Sequence, residues 1–390
     1  MSERDWSAPT ELAGLERRCW TIGGVAAAIS VLGALLDLTQ FLQSYLVAWL
    51  LVAGVAFGCF AVSCLHHLSA GGWGLMARRI FEAASKTIPV LAVLFVPVLL
   101  GLSHLYPWAD PENAASSYAI SKKAGYLNPT FFAVRFVGYM LLLGGLAWRI
   151  GSLSLKQDAT GEPRLARRMQ NLAGPALGLY VLVATLASVD WIMSLDPAWY
   201  SSLFGVYFIG GHGVSAFAFV IPLALWLARR EPMSHAFTSR HFHDYGKLLF
   251  AFVMLWAYFA VSQLLIIWSG NLAEEVTWYI ERVQGGWKTL GLALGLLHFA
   301  LPFLLLLSRN LKRDGRRLAM VAIFLLAMRW VDLYWQIGPT FHHGGFSIHW
   351  LDATTAAALG GLWLALVLRT LGKHSLLPVR DPHLAEALPE

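Results

Sequence analysis

Two stretches put charge where an apolar chain tolerates it poorly. Residues 188–202 read SVDWIMSLDPAWYSS and carry Asp190 and Asp196; residues 327–341 read AMRWVDLYWQIGPTF and carry Arg329 and Asp332. An ionisable group at membrane depth is costly and usually has a partner or a task. Arg329 and Asp332 stand three apart, share one helix face and can pair directly. Asp190 can pair likewise with Arg135, expected at similar depth on a neighbouring helix. Such carboxylates could also take up or release protons. His104, near a helix end, is the best single candidate for proton exchange because imidazole changes charge near neutral pH. Gln263 is a polar residue in another apolar run. His212 and His298, near mid-span, could offer axial imidazoles to a haem. A di-haem cytochrome would show further histidines repeated along the same helices, and none is present. Asp37 reads as solvated, Glu82 as a loop residue, and the adjacent pairs His66–His67 and His342–His343 as surface residues.

Elements long enough to hold these groups follow from composition. The 390-residue chain is 57% hydrophobic and 13% charged, with mean hydropathy +0.58. Soluble domains carry about 25% charge, so this reads as an all-α integral membrane protein. The 17 tryptophans fit a chain with two membrane–water interfaces. Ten apolar runs reach the length of about 20 residues that a bilayer core requires: 20–40, 45–66, 87–106, 130–150, 172–194, 203–227, 248–268, 288–307, 318–338 and 351–370. A polar N-terminal segment (1–19), unlike a cleavable signal peptide, and a C-terminal tail (371–390) flank them.

The basic residues test that count. Of 29 Lys and Arg, with Arg149, Lys288 and Arg369 at the span ends counted with the loops they adjoin, 23 fall at the termini and in the loops after even-numbered spans; 4 fall after odd-numbered spans, and Arg135 and Arg329 lie deeper within spans. One missed span would destroy the alternation. The positive-inside rule then puts both termini in the cytoplasm, and Asp190, Asp196, Trp199 and Tyr200 at the outer face, with the two aromatics as interface anchors. The net charge of +6 is thus a topology signal and not a nucleic-acid footprint. Cys19, Cys59 and Cys64 form no CxxC or CxxCH, so the chain cannot by itself hold a covalent haem c or a four-cysteine iron–sulfur cluster. Cys59 and Cys64 read as packing residues.

LASVDWIMSLDP in the fifth span and MRWVDLYWQIGP in the ninth both place Val-Asp and aromatics near the outer end, with a proline seven residues after the Asp. An offset of four spans preserves direction. This pattern suggests two four-helix bundles, spans 2–5 and 6–9, related by an axis along the membrane normal and flanked by spans 1 and 10. The outer loops 108–128 and 338–350 are candidate docking surfaces.

SVDWIMSLDPAWYSSLFGVYF (188–208), DYGKLLFAFVMLWAYFAVSQLLIIWSGNLAEEVTWY (244–279) and AMRWVDLYWQIGPTF (327–341) resemble signature stretches of one membrane subunit of alternative complex III, a bacterial quinol-oxidising respiratory complex. The resemblance covers nearly the whole chain. It looks most like the smaller of the two related quinone-binding-type subunits, the F subunit, within the polysulfide-reductase-like, NrfD-type family. It implies two four-helix bundles flanked by two helices in the bacterial inner membrane. The implied partners are a larger sister membrane subunit, an iron–sulfur subunit, haem c subunits and a terminal oxidase. Menaquinone or ubiquinone is the implied redox substrate, and the smaller subunit is expected to bind quinone or conduct protons. Asp190, Asp196 and Asp332 fall on the matching stretches. A secondary transporter and a purely structural anchor are the competing readings; the first would show paired, Gly/Pro-interrupted short helices in corresponding places.

Overall fold

Long runs of Leu, Val, Ala and Phe, with little to interrupt the backbone ladder, fold as helices because a helix satisfies every backbone polar group within itself. The computed structural model describes residues 5–388; residues 1–4 of the expected N-terminal segment, including Arg4, and 389–390 of the tail lie outside the described residues. Among the described residues there is no strand. Ten helices among the described residues are long and apolar enough to cross a membrane: α1 (Glu11–Leu36), α2 (Leu38–Ser69), α3 (Gly72–Leu100), α4 (Pro129–Thr160), α5 (Pro163–Leu195), α6 (Phe204–Ala228), α7 (Ser239–Gly270), α8 (Trp287–Leu307), α9 (Gly315–Phe341) and α10 (Trp350–Leu371). The chain is a multi-pass membrane protein.

Contacts run from α2 through α3, α4 and α5 back to α2, and from α6 through α7, α8 and α9 back to α6. α2 packs on α6 and α9, and α1 lies along α10. The two central helices are the most enclosed, with 89% of the apolar window of α2 and 78% of that of α6 buried. Lipid supplies no hydrophobic drive between helices, so they associate through close packing of small residues. Gly58 of α2 sits against the backbone carbonyl of His212 in α6, where any side chain would collide. A Cβ on Gly23 of α1 would lie 2.6 Å from the Leu362 amide of α10.

Several boundaries differ from the expected ones. α1 and α2 are separated by Asp37 alone, whose carboxylate accepts from the Gln40 amide at 2.9 Å and starts α2. α3 begins at Gly72, fifteen residues before the apolar run, so Glu82 belongs to a helix and not to a loop. That extension is amphipathic and turns Arg78, Arg79 and Glu82 inward. Further along, α3 is broken near Phe95, between Pro89 and Pro97. Proline cannot donate to the ladder, and α2 supplies donors there: Trp49 Nε1 donates to the Leu91 carbonyl at 3.0 Å and the Tyr45 hydroxyl to that of Leu94 at 2.6 Å. α8 contains a π-helical stretch, Leu294–Ala300, just before Pro302.

Both termini lie at one face. Leu376 N donates to the Trp6 carbonyl at 2.9 Å, and Asp381 pairs with Arg78 at 2.7 Å. The tail is therefore docked, with Leu376, Leu377, Leu384 and Ala387 buried. Cys59 and Cys64 are fully buried packing residues.

The α2–α6 contact predicts a contrast between two glycines. Gly58→Ala should destabilise the fold by about 1–3 kcal/mol, the usual cost of overpacking. Gly145→Ala, where a Cβ meets nothing within 4 Å, should be neutral or slightly stabilising. Unfolding of both variants in detergent by heat or denaturant checks this.

Candidate functional site

Two carboxylate clusters lie towards the face opposite the termini, one in each set of four helices. In the first, Asp190 near the end of α5 is buried. Arg135 of α4 holds it with a two-pronged contact, Nε to Oδ2 at 2.9 Å and Nη2 to Oδ1 at 2.8 Å. Such fork-to-carboxylate geometry is the strongest form of side-chain hydrogen bonding. The Tyr139 hydroxyl donates to Oδ2 at 2.8 Å, and the Arg135 guanidinium rests 3.7 Å from the centre of the Tyr126 ring. Burial, with the nearby Asp190 carboxylate, pushes the Tyr126 hydroxyl up to about 12. The expected Asp190–Arg135 pair is present.

The second cluster centres on Asp332 of α9, which is fully buried. Arg329, one turn before it, forms an ion pair with Oδ2. Tyr207 of α6 donates its hydroxyl to Oδ1 at 2.7 Å, and Trp256 of α7 its indole N–H to Oδ2 at 3.2 Å. Gln336 donates to Oδ2 at 3.0 Å. Gly211 of α6 makes room for the Arg329 guanidinium, which occupies the place a side chain would take. The Arg329–Asp332 pair expected from spacing thus exists, and α6 and α7 complete its shell.

A cavity of about 380 Å³ reaches Asp332 from between α7 and α8. Most of its wall is apolar, including Ala260, Val261 and Leu264 of α7 and Leu292 and Phe299 of α8. Val261, Leu264 and Leu292 are exposed on the flank of the helix bundle, so the mouth faces the lipid. Polar groups gather at its deep end. Gln263 is buried, its carbonyl oxygen has no protein partner, and its amide interacts with Tyr279. Tyr279 and Arg282 come from the short helix Ala273–Arg282, which follows α7. Arg282 lies 3.5 Å over the Trp278 ring, donates to the Trp278 carbonyl at 2.7 Å and also donates to the Gln336 carbonyl. Burial pulls this guanidinium down to about 9 and raises the neighbouring Glu281 carboxyl.

The two mid-span histidines stand beside this cluster. His212 Nδ1 lies 2.9 Å from the Tyr180 hydroxyl, and its Nε2 has no protein partner. His298 sits on the π-helical stretch, its ring centroid 4.1 Å from that of Trp256; neither of its nitrogens has a protein partner. π-bulges occur frequently at functional sites. Among the described residues, no group of three or more His, Cys, Asp or Glu is placed to hold a metal ion.

Other expected residues lie apart. His104 is exposed and touches Thr39 at 3.5 Å, not the Asp190 cluster. Asp196 is a turn residue that accepts from the Ala198 amide at 3.1 Å. Trp199 is not an interface anchor: it is buried and stacked on Trp278 at 4.7 Å, while Tyr200 is exposed. His66 is buried, not a surface residue, and Gly74 leaves the space its ring fills. Residues 342–350 fold back on the chain itself, Phe346 N donating to the Gly285 carbonyl at 2.6 Å. No protein-family model matches this sequence, and no curated protein matches it.

Sequence reasoning missed Tyr207, Trp256, Gln336, Tyr279, Arg282, Tyr139 and Tyr126 as site residues. Gln336 lay within the charged stretch 327–341, and Tyr207 within the stretch 188–208. Arg282 was one of only four basic residues on the basic-poor side, a signal that could have marked it. Glu82 belongs to a third buried network near the termini: Arg78 Nε donates to it at 3.0 Å, Arg79 pairs with it and with Asp158, and Ser154 accepts from both arginines at 2.9 Å.

Truncating Asp190 should strand the Arg135 charge. Asp190→Ala is expected to cost about 3–5 kcal/mol, the range for half of a buried ion pair, and Asp196→Ala less than about 1 kcal/mol. A double-mutant cycle with Arg135→Ala, read by unfolding in detergent, measures the coupling.

Proposed function

We propose that this chain is a membrane subunit of a quinol-oxidising respiratory complex, and that the cavity between α7 and α8 receives the quinone ring. The observation that carries the reading is a lipid-facing, mostly apolar cavity that ends on a buried carboxylate. A quinol is a flat ring with two hydroxyls and an apolar tail, and it arrives through the bilayer. Gln263 and Tyr279 have the chemistry to hydrogen-bond ring oxygens. Asp332, paired with Arg329, has the chemistry to accept a proton released on oxidation. The electrons go to iron–sulfur and haem c centres in partner subunits, and His298, His212 and the Asp190 cluster are further groups through which protons can move. The resemblance of 188–208, 244–279 and 327–341 to the F subunit of alternative complex III supports the same reading.

On this reading α2–α5 and α6–α9 are the two four-helix bundles of that family, with α1 and α10 outside them. The closed contact order of each set supports this, as does the matched position of Asp190 and Asp332. The Lys and Arg asymmetry supports cytoplasmic termini in a bacterial inner membrane. The transporter reading finds less support. α3 and α8 are the interrupted helices, but an offset of four matches α3 with α7, which runs unbroken from Ser239 to Gly270.

Purification of the tagged chain from native membranes in mild detergent should bring down a haem c spectrum, an iron–sulfur subunit and a larger sister subunit. A lone, colourless chain overturns the assignment. In the assembled complex, Ala260→Phe, which fills the cavity, and Asp332→Asn, which removes the proton acceptor, should each lower quinol-driven electron transfer by about 10-fold or more, in line with the loss of a positioned base. Unchanged turnover in both would remove the cavity from the reaction.

A further inference from the structure

At the face that carries both termini, the end of α6 and the start of α9 part around a groove of about 470 Å³. It is remote in character from the carboxylate cavity, and none of the residues discussed above lines it. Its inner surface is apolar, formed by Leu225 of α6 and Ala319 and Ile323 of α9. Ile323 is 57% exposed, so the groove opens onto the lipid-facing flank. α1 lies along α10 and reaches the groove with Glu11 at its start.

The rim is charged. Arg229 stands at the end of α6 and is exposed; its backbone N–H donates to the Leu227 carbonyl, while its guanidinium has no hydrogen bond or ion pair among the described residues and is free for a ligand. Arg230 is held in place: it lies 3.7 Å over the Trp226 ring and donates through Nη1 to the Trp226 carbonyl at 2.7 Å. Its remaining donors are free. Glu11, at the start of α1, lies on the same rim. Two cations and one carboxylate leave the rim with a net charge of +1. An apolar trough at membrane depth therefore ends in a singly positive, donor-rich rim beside an indole. Arginine forks match phosphate oxygens, basic pockets between membrane helices bind anionic lipid head groups, and tryptophan favours the head-group level.

We propose that this groove is a binding site for an anionic phospholipid with a hydroxylated head group. Arg229 and Arg230 hold the phosphodiester, one acyl chain lies along Leu225 and Ile323, and Glu11 accepts a hydrogen bond from a head-group hydroxyl. The proposal is independent of the quinol reading and survives its failure.

The test uses the full-length chain in detergent micelles. Thermal unfolding is followed with dihexanoyl-phosphatidylglycerol, dihexanoyl-phosphatidylcholine or inorganic phosphate added at equal concentration. A ligand that binds only the folded state raises the unfolding midpoint. The midpoint should rise with phosphatidylglycerol and not with the other two. The rise should vanish in the Arg229→Gln/Arg230→Gln double variant and persist in Arg164→Gln, which removes an exposed charge elsewhere on the same face. An equal rise in wild type and double variant overturns the site. So does an equal rise with phosphatidylcholine, which would mark a non-specific effect of lipid, or with inorganic phosphate, which would mark a simple anion site. Should the double variant fail to fold, Ile323→Trp decides: it fills the trough and keeps both arginines. Loss of the rise supports the proposal, and retention overturns it.

Discussion

Charge inside an apolar medium has to be neutralised where it stands, and this requirement organises the molecule. Asp332 is the clearest case. It is fully buried and takes an ion pair from its own helix and hydrogen bonds from α6, α7 and α9. An isolated carboxylate there would face a desolvation penalty of several kcal/mol. Asp190 obeys the same rule with different parts, because its cation comes from α4 and not from one turn away. The two carboxylates occupy matching positions in their helices, while their arginines do not. Each carboxylate is balanced by one arginine, brought from a different place.

That balance needs backbones close enough for short side chains to meet. Glycines supply the closeness. Gly58 lets α2 approach the His212 carbonyl, and Gly211 yields its side-chain space to Arg329. The break in α3 works the other way: the Phe95 and Val98 amides turn to the Ala92 and Phe95 carbonyls, and Trp49 and Tyr45 donate to those of Leu91 and Leu94. In lipid a freed carbonyl has no water to fall back on, so the break in α3 and the two aromatics of α2 have to occur together. The π-helical stretch of α8 is a comparable departure. It presents Leu294 and Phe299 to the cavity while turning His298 into the protein.

Position along a helix proved legible, and partners less so. The pairings Arg329–Asp332 and Arg135–Asp190 could be anticipated because spacing and depth constrain both members. His104 illustrates the limit: depth placed it level with Asp190, but rotation about its helix axis turned it outward towards Thr39. Trp199 failed for a related reason. An aromatic at the expected interface depth can be claimed by another aromatic, here Trp278 of the short helix after α7. Glu82 was misread because a charged stretch looks like a loop until its charges are seen to cancel one another within a buried network.

The sequence by itself determined that ten helices cross a membrane, in which direction each runs relative to the next, and which few residues carry charge into the apolar region. These follow from hydropathy summed over about 20 residues and from the distribution of Lys and Arg, both of which are additive along the chain. Only the tertiary structure decided which donors surround Asp332, that a cavity opens beside it, and that the C-terminal tail docks on Arg78. Those depend on the rotation and crossing of helices far apart in sequence. A shift of one residue, about 100° around a helix, changes which side chains meet and leaves the hydropathy profile almost untouched.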